Sequence, residues 1–315
     1  MNEQRPAIGI RTAILGSTGL AASEISLGTS ALGRVDKMND HGAADVINHA
    51  LASGITVIDT GNNYGESERR IGLARPDSGW PGSLLVTKVD PVEGSSDFSG
   101  SRVRQSIRES MNRLGVDHLE LVHLHDPERI SFESALAANG PVRALLDLRE
   151  RGLIGHIGVA GGPIGLLQDY IRTGHFESVV THNRFTLMDQ SAVPLLDLCA
   201  ENSIGVFNAA PFGGGFLAGS GRSTDYCYRP ASAEQLTARD RMFRLCSSAG
   251  VDLAAVALQF SIREPRIGST IVGMSSPAQV EQTLERLRVK IPAELFSELR
   301  SLTPSPAGWF GADRI

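Results

Sequence analysis

Four residues that can take part in proton transfer stand at or just after apolar stretches of the chain. They are Asp59, Tyr64, Lys88 and His125. A tyrosine ordinarily titrates near pH ~10, so on its own it is a poor acid or base at neutral pH. A neighbouring ammonium favours the phenolate, so Lys88 would lower the pKa of Tyr64 if the two side chains met. Asp59 would hold Lys88, and His125 would bind or relay a proton at a substrate oxygen.

Together these groups could move a proton to or from an alcohol or a carbonyl oxygen. An oxidation or reduction would also need a hydride carrier, which points to a nicotinamide cofactor. Taken singly, Asp59 could instead cap a helix, and Lys88 could be a solvated strand end. His123 and His125 fall on one face of a strand, so an H-x-H metal site is a further alternative. We predict no metal, because His182 is the only later candidate ligand.

Short apolar stretches rich in Val and Ile alternate with segments of helical period. Continuous apolar strands are typical of a parallel sheet that is buried on both faces. Eight such units predict an α/β fold, a closed (β/α)8 TIM barrel forming one domain over residues 1–315. A doubly wound sheet is the alternative, but the glycines after the first strand lack the G-x-G-x-x-G spacing. The predicted strands are 24–28, 55–59, 83–88, 119–125, 154–160, 178–183, 205–211 and 269–273.

Two features lie outside the eightfold repeat. Residues 11–25 have the pattern of an N-terminal β-hairpin with its turn at residues 17–19, and this hairpin could close the barrel bottom. The gap after the seventh strand holds a Gly- and Tyr-rich insertion, residues 213–230. Loops that long in a compact domain are usually functional. In a barrel this extended loop would emerge at the catalytic face.

Composition argues against several classes of partner. The formal net charge is −5 and no run of Lys or Arg occurs, which argues against nucleic acid. No apolar stretch approaches the roughly 18 residues that would span a membrane. The N-terminal segment lacks the pattern of a secretory leader. Three sparse cysteines indicate reduced thiols and a cytoplasmic protein. We expect a monomer or homodimer that acts on a small molecule.

The motifs around these residues resemble those of the aldo-keto reductases. That family has an Asp followed five residues later by Tyr-Gly, as in DTGNNYG here, and a lysine that ends the third strand, as in LLVTK. Its histidine pattern L-G-x-D-x-x-D-L-x-x-x-H is matched by LGVDHLELVHLH, with Glu120 for the second Asp. The resemblance implies a (β/α)8 barrel and an extended nicotinamide cofactor bound without a Rossmann turn. It also implies that Tyr64 is the general acid or base.

The same resemblance implies where the cofactor lies. The family's Ser-Asn pair, which holds the carboxamide, corresponds to Ala160 and Gly161. Its glutamine corresponds to His182, and the aromatic that stacks on nicotinamide corresponds to Ala209. The other implied cofactor-binding residues are Gly28, Thr29, Asp59, Pro211, Phe212, Gly213, Gly215, Gly273, Ser275 and Gln279.

The adenosine end of this implied site bears on the choice of cofactor. Residues 273–283 contain no Lys or Arg that could pair with a 2′-phosphate. We therefore expect NAD, with NADP as the alternative if a basic residue such as Arg222 reaches the site. Gln279 could also complete a capping box with Ser276, with Pro277 as the first helical residue.

Within the family, the missing Ser-Asn pair and the segments 182–199, 208–219 and 258–277 resemble the aldose 1-dehydrogenase branch. That branch is similar to enzymes that oxidise the hemiacetal carbon of L-fucose, L-galactose or pyridoxal to a lactone with NAD or NADP. The resemblance then implies that Tyr64 acts as a general base toward the hydroxyl of a sugar or hemiacetal.

Two other functions stay open at this point. The same four residues could serve an NADPH-dependent aldehyde or ketone reductase, or the barrel could be a nucleotide-binding regulatory subunit. Substrate contacts are expected from residues 90–98, Tyr226, Tyr228, Trp309 and Phe310.

Overall fold

The strands of the chain divide between a barrel and two small hairpins. The structure is a computed structural model that describes residues 9–92, 94–218, 223–306 and 309. Its strands are β1 (Thr12–Ile14), β2 (Ala21–Ser23), β3 (Ile25–Gly28), β4 (Val57–Asp59), β5 (Leu84–Val89), β6 (Leu119–His125), β7 (Ile154–Gly161), β8 (Ser178–His182), β9 (Gly205–Ala209), β10 (Asp225–Tyr226), β11 (Arg229–Pro230) and β12 (Ser269–Gly273).

Strands β3 to β9 and β12 form a closed barrel of eight strands. Each pairs in parallel with the next, and β12 pairs with both β9 and β3. The predicted (β/α)8 fold is therefore confirmed, and each predicted strand agrees with the structure to within two residues at either end. Because all the strands run the same way, their carboxyl ends meet at one mouth, where active sites of such barrels lie.

The helices surround the barrel. They are α1 (Asp40–Ala52), α2 (Ser67–Ala74), α3 (Gly100–Leu114), α4 (Phe132–Leu136), α5 (Pro141–Glu150), α6 (Ile164–Arg172), α7 (Val193–Glu201), α8 (Ala233–Ser248), α9 (Leu253–Ile262), α10 (Pro277–Arg288) and α11 (Ala293–Ser301).

Helix α3 illustrates how the sequence sets these elements. Ser99 caps its start by accepting a hydrogen bond from the backbone N–H of Arg102, and Gly115 ends it with φ of 66°. Between them, Val103 and Ile107 recur on one face and are buried against the barrel. Burial of each such side chain stabilises the fold by about 1.5–3 kcal/mol.

The N-terminal hairpin forms the floor of the barrel. Strands β1 and β2 pair antiparallel, as predicted. Leu15 and Ala22 are fully buried and belong to the same apolar cluster as the barrel-interior residues Val57, Leu121 and Phe207. The hairpin therefore closes the end of the barrel opposite the mouth.

The helices offer little that resembles a membrane anchor. Within the described ranges, no single helix is long and apolar enough to cross a membrane; α8 and α9 meet the length and composition criteria only as a pair, bent by 101°. Every residue of α9 is buried. Cys199, Cys227 and Cys246 are free, buried thiols.

Candidate active site

The four predicted proton-transfer residues meet at the mouth of the barrel. Asp59 ends β4, Lys88 lies near the end of β5 and His125 ends β6, while Tyr64 comes from the loop after β4. All four line one cavity of about 280 Å³. They meet because β4, β5 and β6 are neighbours in the closed sheet.

Lys88 and Asp59 form a buried ion pair. The Lys88 ammonium donates hydrogen bonds of 2.8 Å to both carboxylate oxygens of Asp59 and one of 2.6 Å to the carbonyl of Thr60. Burial opposes the charge on Lys88, but Asp59 and Tyr64 outweigh it and raise the pKa of the ammonium above its ordinary value. These short contacts hold the ammonium against Asp59 and Thr60, and it also interacts with the Tyr64 side chain.

Tyr64 does not have the lowered pKa that the sequence suggested. Burial raises the pKa of Tyr64 to about 12; Lys88 opposes this increase, and Asp59 adds to it. The ammonium lies 4.7 Å from the centre of the Tyr64 ring, but its charge is largely balanced by Asp59. The expected direction was wrong because burial and Asp59 together exceed the effect of Lys88. At neutral pH the Tyr64 hydroxyl is therefore protonated and can donate a hydrogen bond.

Contacts between backbones fix the position of Tyr64. The 3₁₀ helix Ser30–Gly33 packs directly on the Tyr64 loop, and a Cβ atom at Gly33 would lie 1.7 Å from the carbonyl oxygen of Tyr64. Gly65 has φ of 54°, and its own Cβ would lie 2.7 Å from the carbonyl oxygen of Gly33. Both positions need glycine, for space and, at Gly65, for the left-handed backbone.

His125 has a partner that the sequence analysis missed. Its Nδ1 atom lies 2.7 Å from Oδ1 of Asp90, a side chain with 0% exposure. The other oxygen of Asp90 accepts a hydrogen bond of 3.1 Å from the backbone N–H of Asn63. Asp90 had been predicted only as the start of a substrate loop. Its position two residues after Lys88 was the available signal, because alternate residues of an extended chain share a face.

His123 lies outside the site. It is fully buried in the barrel wall, where Nε2 lies 3.1 Å from the hydroxyl of Ser178. Burial lowers the pKa of His123 well below its usual range. Among the residues that the structure describes, no group of three or more His, Cys, Asp and Glu side chains is arranged to hold a metal ion.

A second cavity of about 430 Å³ continues from the first across the mouth. The two cavities share Ala210, Tyr228 and Gly273, so together they form one elongated cleft. Its volume falls in the range typical of cofactor sites.

Most of the predicted cofactor residues line this cleft, but two do not. Gly213 lies beneath the Tyr226 ring, where a Cβ atom would approach a ring carbon to 2.3 Å, and Ser275 hydrogen-bonds to Gln279. The predicted residues in the first cavity are Gly28, Thr29, Asp59, Ala160, Gly161, His182, Ala209 and Gly273, and those in the second cavity are Pro211, Phe212, Gly215, Gly273 and Gln279.

Ala160 and Gly161 form one wall of the cleft, and close neighbours explain why position 161 is a glycine. A Cβ atom at Gly161 would lie 3.1 Å from Oε2 of Glu128 and 3.2 Å from Cδ of Pro127. An asparagine there would require both neighbours to shift by a few tenths of an ångström. His182 lies beside this wall, and burial lowers its pKa to about 4, so it is neutral at physiological pH.

The far end of the cleft contains a basic residue, Arg286, which lies outside residues 273–283, the segment that was searched for Lys and Arg in the sequence. Arg286 lies seven residues after Gln279, so both fall on one face of α10 and both line the second cavity. The Arg286 guanidinium pairs with Asp252 at 3.0 Å.

The predicted capping box at the start of α10 forms only in part. Ser276 accepts a hydrogen bond from the Gln279 backbone, but the Gln279 side chain accepts from the backbone of Ser275 instead.

The insertion brings one tyrosine to the cleft. Tyr226 is buried and hydrogen-bonds to Thr186 at 2.9 Å, so it does not line either cavity. Tyr228 lines both cavities although 79% of it is exposed. Cys227 and Tyr228 form the turn between β10 and β11 with φ of 53° and 66°. A hairpin turn with two non-glycine residues at positive φ is strained, which is common at functional sites.

Among the described residues, the remaining expected substrate contacts do not line either cavity. Trp309 hydrogen-bonds to the carbonyl of Pro304, and within residues 90–98, Asp90 and Phe98 are buried. Arg222 and Phe310 lie outside the described residues.

The family model for the aldo/keto reductase family matches residues 24–304, nearly the whole chain. The chain belongs to the aldo/keto reductase family. It is thus an NAD(P)-dependent oxidoreductase. The holo form of an aldo-keto reductase from Bacillus halodurans has the same fold, with a TM-score of 0.79 over 94% of this chain and 97% of that one, at 19% identity.

Three relatives of this aldo/keto reductase are dehydrogenases. D-threo-aldose 1-dehydrogenase from a Pseudomonas species is 32% identical, over 92% of this chain and 97% of that protein. L-galactose dehydrogenase from Arabidopsis thaliana is 31% identical over 86% of both chains. Pyridoxal 4-dehydrogenase from Microbacterium luteolum is 28% identical over 91% of this chain and 96% of that protein.

Proposed function

We propose that this aldo/keto reductase oxidises the hemiacetal carbon of an aldose, of the L-fucose or L-galactose type, or of pyridoxal, to a lactone. The observation that carries this proposal is the convergence of Asp59, Tyr64, Lys88 and His125 on one cavity that continues into the glycine-rich cleft. The names of the three dehydrogenase relatives support the direction and the substrate class.

The chain's residues fit a nicotinamide dinucleotide laid along the cleft. A bound nicotinamide would supply the hydride acceptor. Ala160 and Gly161 would border its carboxamide, with His182 as the neighbouring polar side chain. The loop at Gly213–Gly215, where all three residues have positive φ, would bring backbone close to the pyrophosphate. Gln279 would lie at the adenosine end.

Tyr64 and Lys88 would act on the reacting hydroxyl. Tyr64 would take the proton of this hydroxyl as general base, and because burial raises the pKa of Tyr64 to about 12, the phenolate that accepts the proton becomes more available as the pH rises. Lys88, which is buried and held by Asp59, would add a fixed positive charge near that oxygen.

We also propose that NAD is preferred over NADP. Arg286 is the basic residue that the described part of the adenosine end offers, but Asp252 already pairs with it and Phe212 lies beneath it. A 2′-phosphate would have to compete with the Asp252 carboxylate for the guanidinium and would be repelled by it.

The alternative is an NADPH-dependent reductase of aldehydes or ketones. One observation favours it: a Tyr64 hydroxyl whose pKa is raised to about 12 is protonated at neutral pH and can donate its proton to a carbonyl oxygen.

Measurement of nicotinamide absorbance distinguishes the two functions. L-fucose, L-galactose and pyridoxal are offered with NAD⁺ or NADP⁺, and simple aldehydes are offered with NADPH. Turnover of the aldehydes alone would refute the proposed function.

A variant tests whether the protein is an enzyme or a nucleotide-binding regulatory subunit. We expect Tyr64→Phe to lose turnover by roughly 10²–10⁴-fold while it still binds cofactor. Unchanged turnover would remove Tyr64 from the mechanism. The monomer or homodimer state and the cytoplasmic location stay predictions.

A further inference from the structure

A surface groove of about 330 Å³ lies between the end of α9 and helix α11. Within the described part of the chain, it shares no lining residue with either cavity of the cleft. We propose that this groove is a binding site for a small aromatic carboxylate, a site independent of the oxidation proposed above. The residues that support this inference are Phe185, Phe260, Arg263, Phe296, Ser297 and Arg300.

The apolar part of the groove is formed by aromatic rings. Phe185 and Phe260 stack with 5.0 Å between their ring centroids and 23° between their planes, and Phe296 adds a third ring. All three side chains are largely buried in the protein, yet each of them lines the groove. A flat aromatic ligand can pack on such rings offset or edge to face, which contributes more than burial of the same apolar area alone.

Helix α11 presents one face to the groove. Ala293, Phe296, Ser297 and Arg300 all line the groove and follow the i, i+3, i+4, i+7 spacing of a helix face. Phe296 is buried, whereas Ser297 and Arg300 are exposed. The same helix therefore contributes an apolar surface and a cation to one site.

Two arginines stack on the aromatic rings. The guanidinium carbon of Arg263 lies 4.3 Å from the ring centroid of Phe296, and that of Arg300 lies 5.6 Å from the ring centroid of Phe260. A guanidinium that stacks on a ring uses its face, and its N–H donors lie in its plane. A carboxylate can accept two of these donors from one arginine. The rings thus position both cations without using their donors.

The positive charge of these arginines is not balanced within the groove. Glu264 also lines it, but Arg266 donates to both carboxylate oxygens of Glu264, at 2.6 and 2.8 Å. Arg300 acts on Glu264 only from beyond ion-pair distance, and Arg263 contacts the amide oxygen of Gln259 at 3.4 Å. Among the described residues, no carboxylate forms an ion pair with either arginine. An anion is therefore attracted to this groove.

The rings and the arginines together define the class of ligand. A carboxylate without a ring would leave the aromatic surface in contact with water, and a ring without a charge would leave both guanidinium groups without a partner. A carboxylate attached to one or two fused aromatic rings contacts both features at once. The volume of about 330 Å³ lies at the lower end of the range for small-molecule sites, as such a ligand requires.

The test is isothermal titration of the full chain with 2-naphthoate. Two matched probes accompany it: 2-naphthalenemethanol, which has the rings without the charge, and acetate, which has the charge without the rings. We expect 2-naphthoate to bind at least roughly tenfold more tightly than either probe. Absence of 2-naphthoate binding at millimolar concentration would refute the inference. Equal affinities for 2-naphthoate and acetate would also refute it, because the rings would then contribute nothing.

Substitutions locate the bound ligand. Arg263→Gln and Arg300→Gln should each weaken 2-naphthoate binding by roughly five- to tenfold, since each removes charge-assisted hydrogen bonds. Arg151→Gln, which changes an exposed arginine at the end of α5, is the control and should have no effect. Ser297→Trp should abolish binding because the indole fills the groove while both arginines stay, whereas Ser297→Ala should bind normally. Equal affinity in all five variants would overturn the inference.

Saturation with NAD⁺ distinguishes the groove from the mouth of the barrel. Because the groove shares no described lining residue with the cleft, NAD⁺ should leave the affinity for 2-naphthoate unchanged. Displacement of 2-naphthoate by NAD⁺ would place the ligand at the mouth and refute the inference. Thermal unfolding of each variant at the temperature of the unmodified protein shows that a loss of binding is not a loss of fold. The outcome does not depend on the proposed function, since a protein that oxidises no sugar can still bind 2-naphthoate.

Discussion

The two halves of the cleft are built in different ways. On the side of β4 to β6, which is the catalytic half in our proposal, polar side chains are buried and paired with one another, as Lys88 with Asp59 and His125 with Asp90. On the side of β7 to β9 and α10, which we call the cofactor half, small residues such as Gly161 and Ala209 line the wall. Proton transfer needs side chains whose position and charge are fixed, whereas a large cofactor can be held by shape and backbone.

The difference between the two halves extends to the residues behind the lining of the cleft. Behind the catalytic half, Glu68 accepts from Thr87 at 2.6 Å, and Arg102 pairs with Glu109 at 2.9 Å. At the far end of the cofactor half, the Arg286 pair reaches Asp252, a side chain that is 52% exposed. We therefore expect substitutions in the first half to affect both stability and rate, and substitutions in the second half to affect mainly the affinity for cofactor.

Lys88→Met should cause the largest loss of both stability and turnover among the substitutions in the catalytic half. The Asp59 carboxylate would stay buried without its counter-ion, which typically costs about 3–5 kcal/mol of stability. Turnover should also fall by at least roughly 10²-fold, since the fixed charge is lost. Urea unfolding and the oxidation assay measure the two effects. The double variant Lys88→Met, Asp59→Asn should recover much of the stability and none of the rate; full recovery of rate would contradict the role of the pair.

Gly33→Ala tests whether backbone packing positions Tyr64. The new methyl group would overlap the Tyr64 carbonyl oxygen, so the loop must shift, at about 1–3 kcal/mol. We expect kcat to fall by roughly 10²-fold, as a displaced acid–base group would produce. Gly165→Ala is the control, because the added Cβ would meet nothing within 4 Å. Equal activity of the two variants would show that the loop tolerates the shift.

Tyr228→Ala probes the cofactor half. We expect Tyr228 to pack against the dinucleotide where the two cavities meet, so its loss should weaken NAD⁺ binding by about 0.5–1.5 kcal/mol, or roughly two- to tenfold. Calorimetric titration measures this affinity. Tyr228→Phe should bind normally, and Phe243→Ala, which removes an aromatic ring that is 40% exposed on α8, should have no effect. A change in KM for the sugar alone would instead place Tyr228 in the substrate site.

Asp252→Asn should have the smallest effect of these substitutions, and it tests what determines the preference for NAD over NADP. Removal of the carboxylate frees the charge of Arg286 at the end of α10, so NADP⁺ should gain affinity relative to NAD⁺. The pair is partly exposed, so we expect only a two- to fivefold change, which is about 0.5–1 kcal/mol. The ratio of kcat/KM values for the two cofactors measures it. No change in that ratio would mean that Arg286 does not reach the 2′ position.

The strands, and the meeting of the four candidate residues at one mouth, could be predicted from the sequence because they depend on local patterns. Apolar runs identified the eight strands, and parallel order then brought Asp59, Lys88 and His125 to one mouth. The pKa of Tyr64 could not be predicted, because it depends on how much of the ring is buried and on how closely Lys88 is paired. Asp90 and Arg286 were missed because a partner is defined by distance in space, which spacing along the chain does not determine.

The hairpin at the bottom of the barrel has a consequence for the order in which ligands bind and leave at the mouth. In the part of the chain that the structure describes, Leu15 and Ala22 pack against the interior residues at the bottom of the barrel, so we expect two ligands to share the opening at the mouth. Whichever ligand lies deeper must arrive first and depart last. The kinetic order of this two-substrate reaction is thus determined partly by a segment at the opposite end of the barrel, which contacts neither ligand.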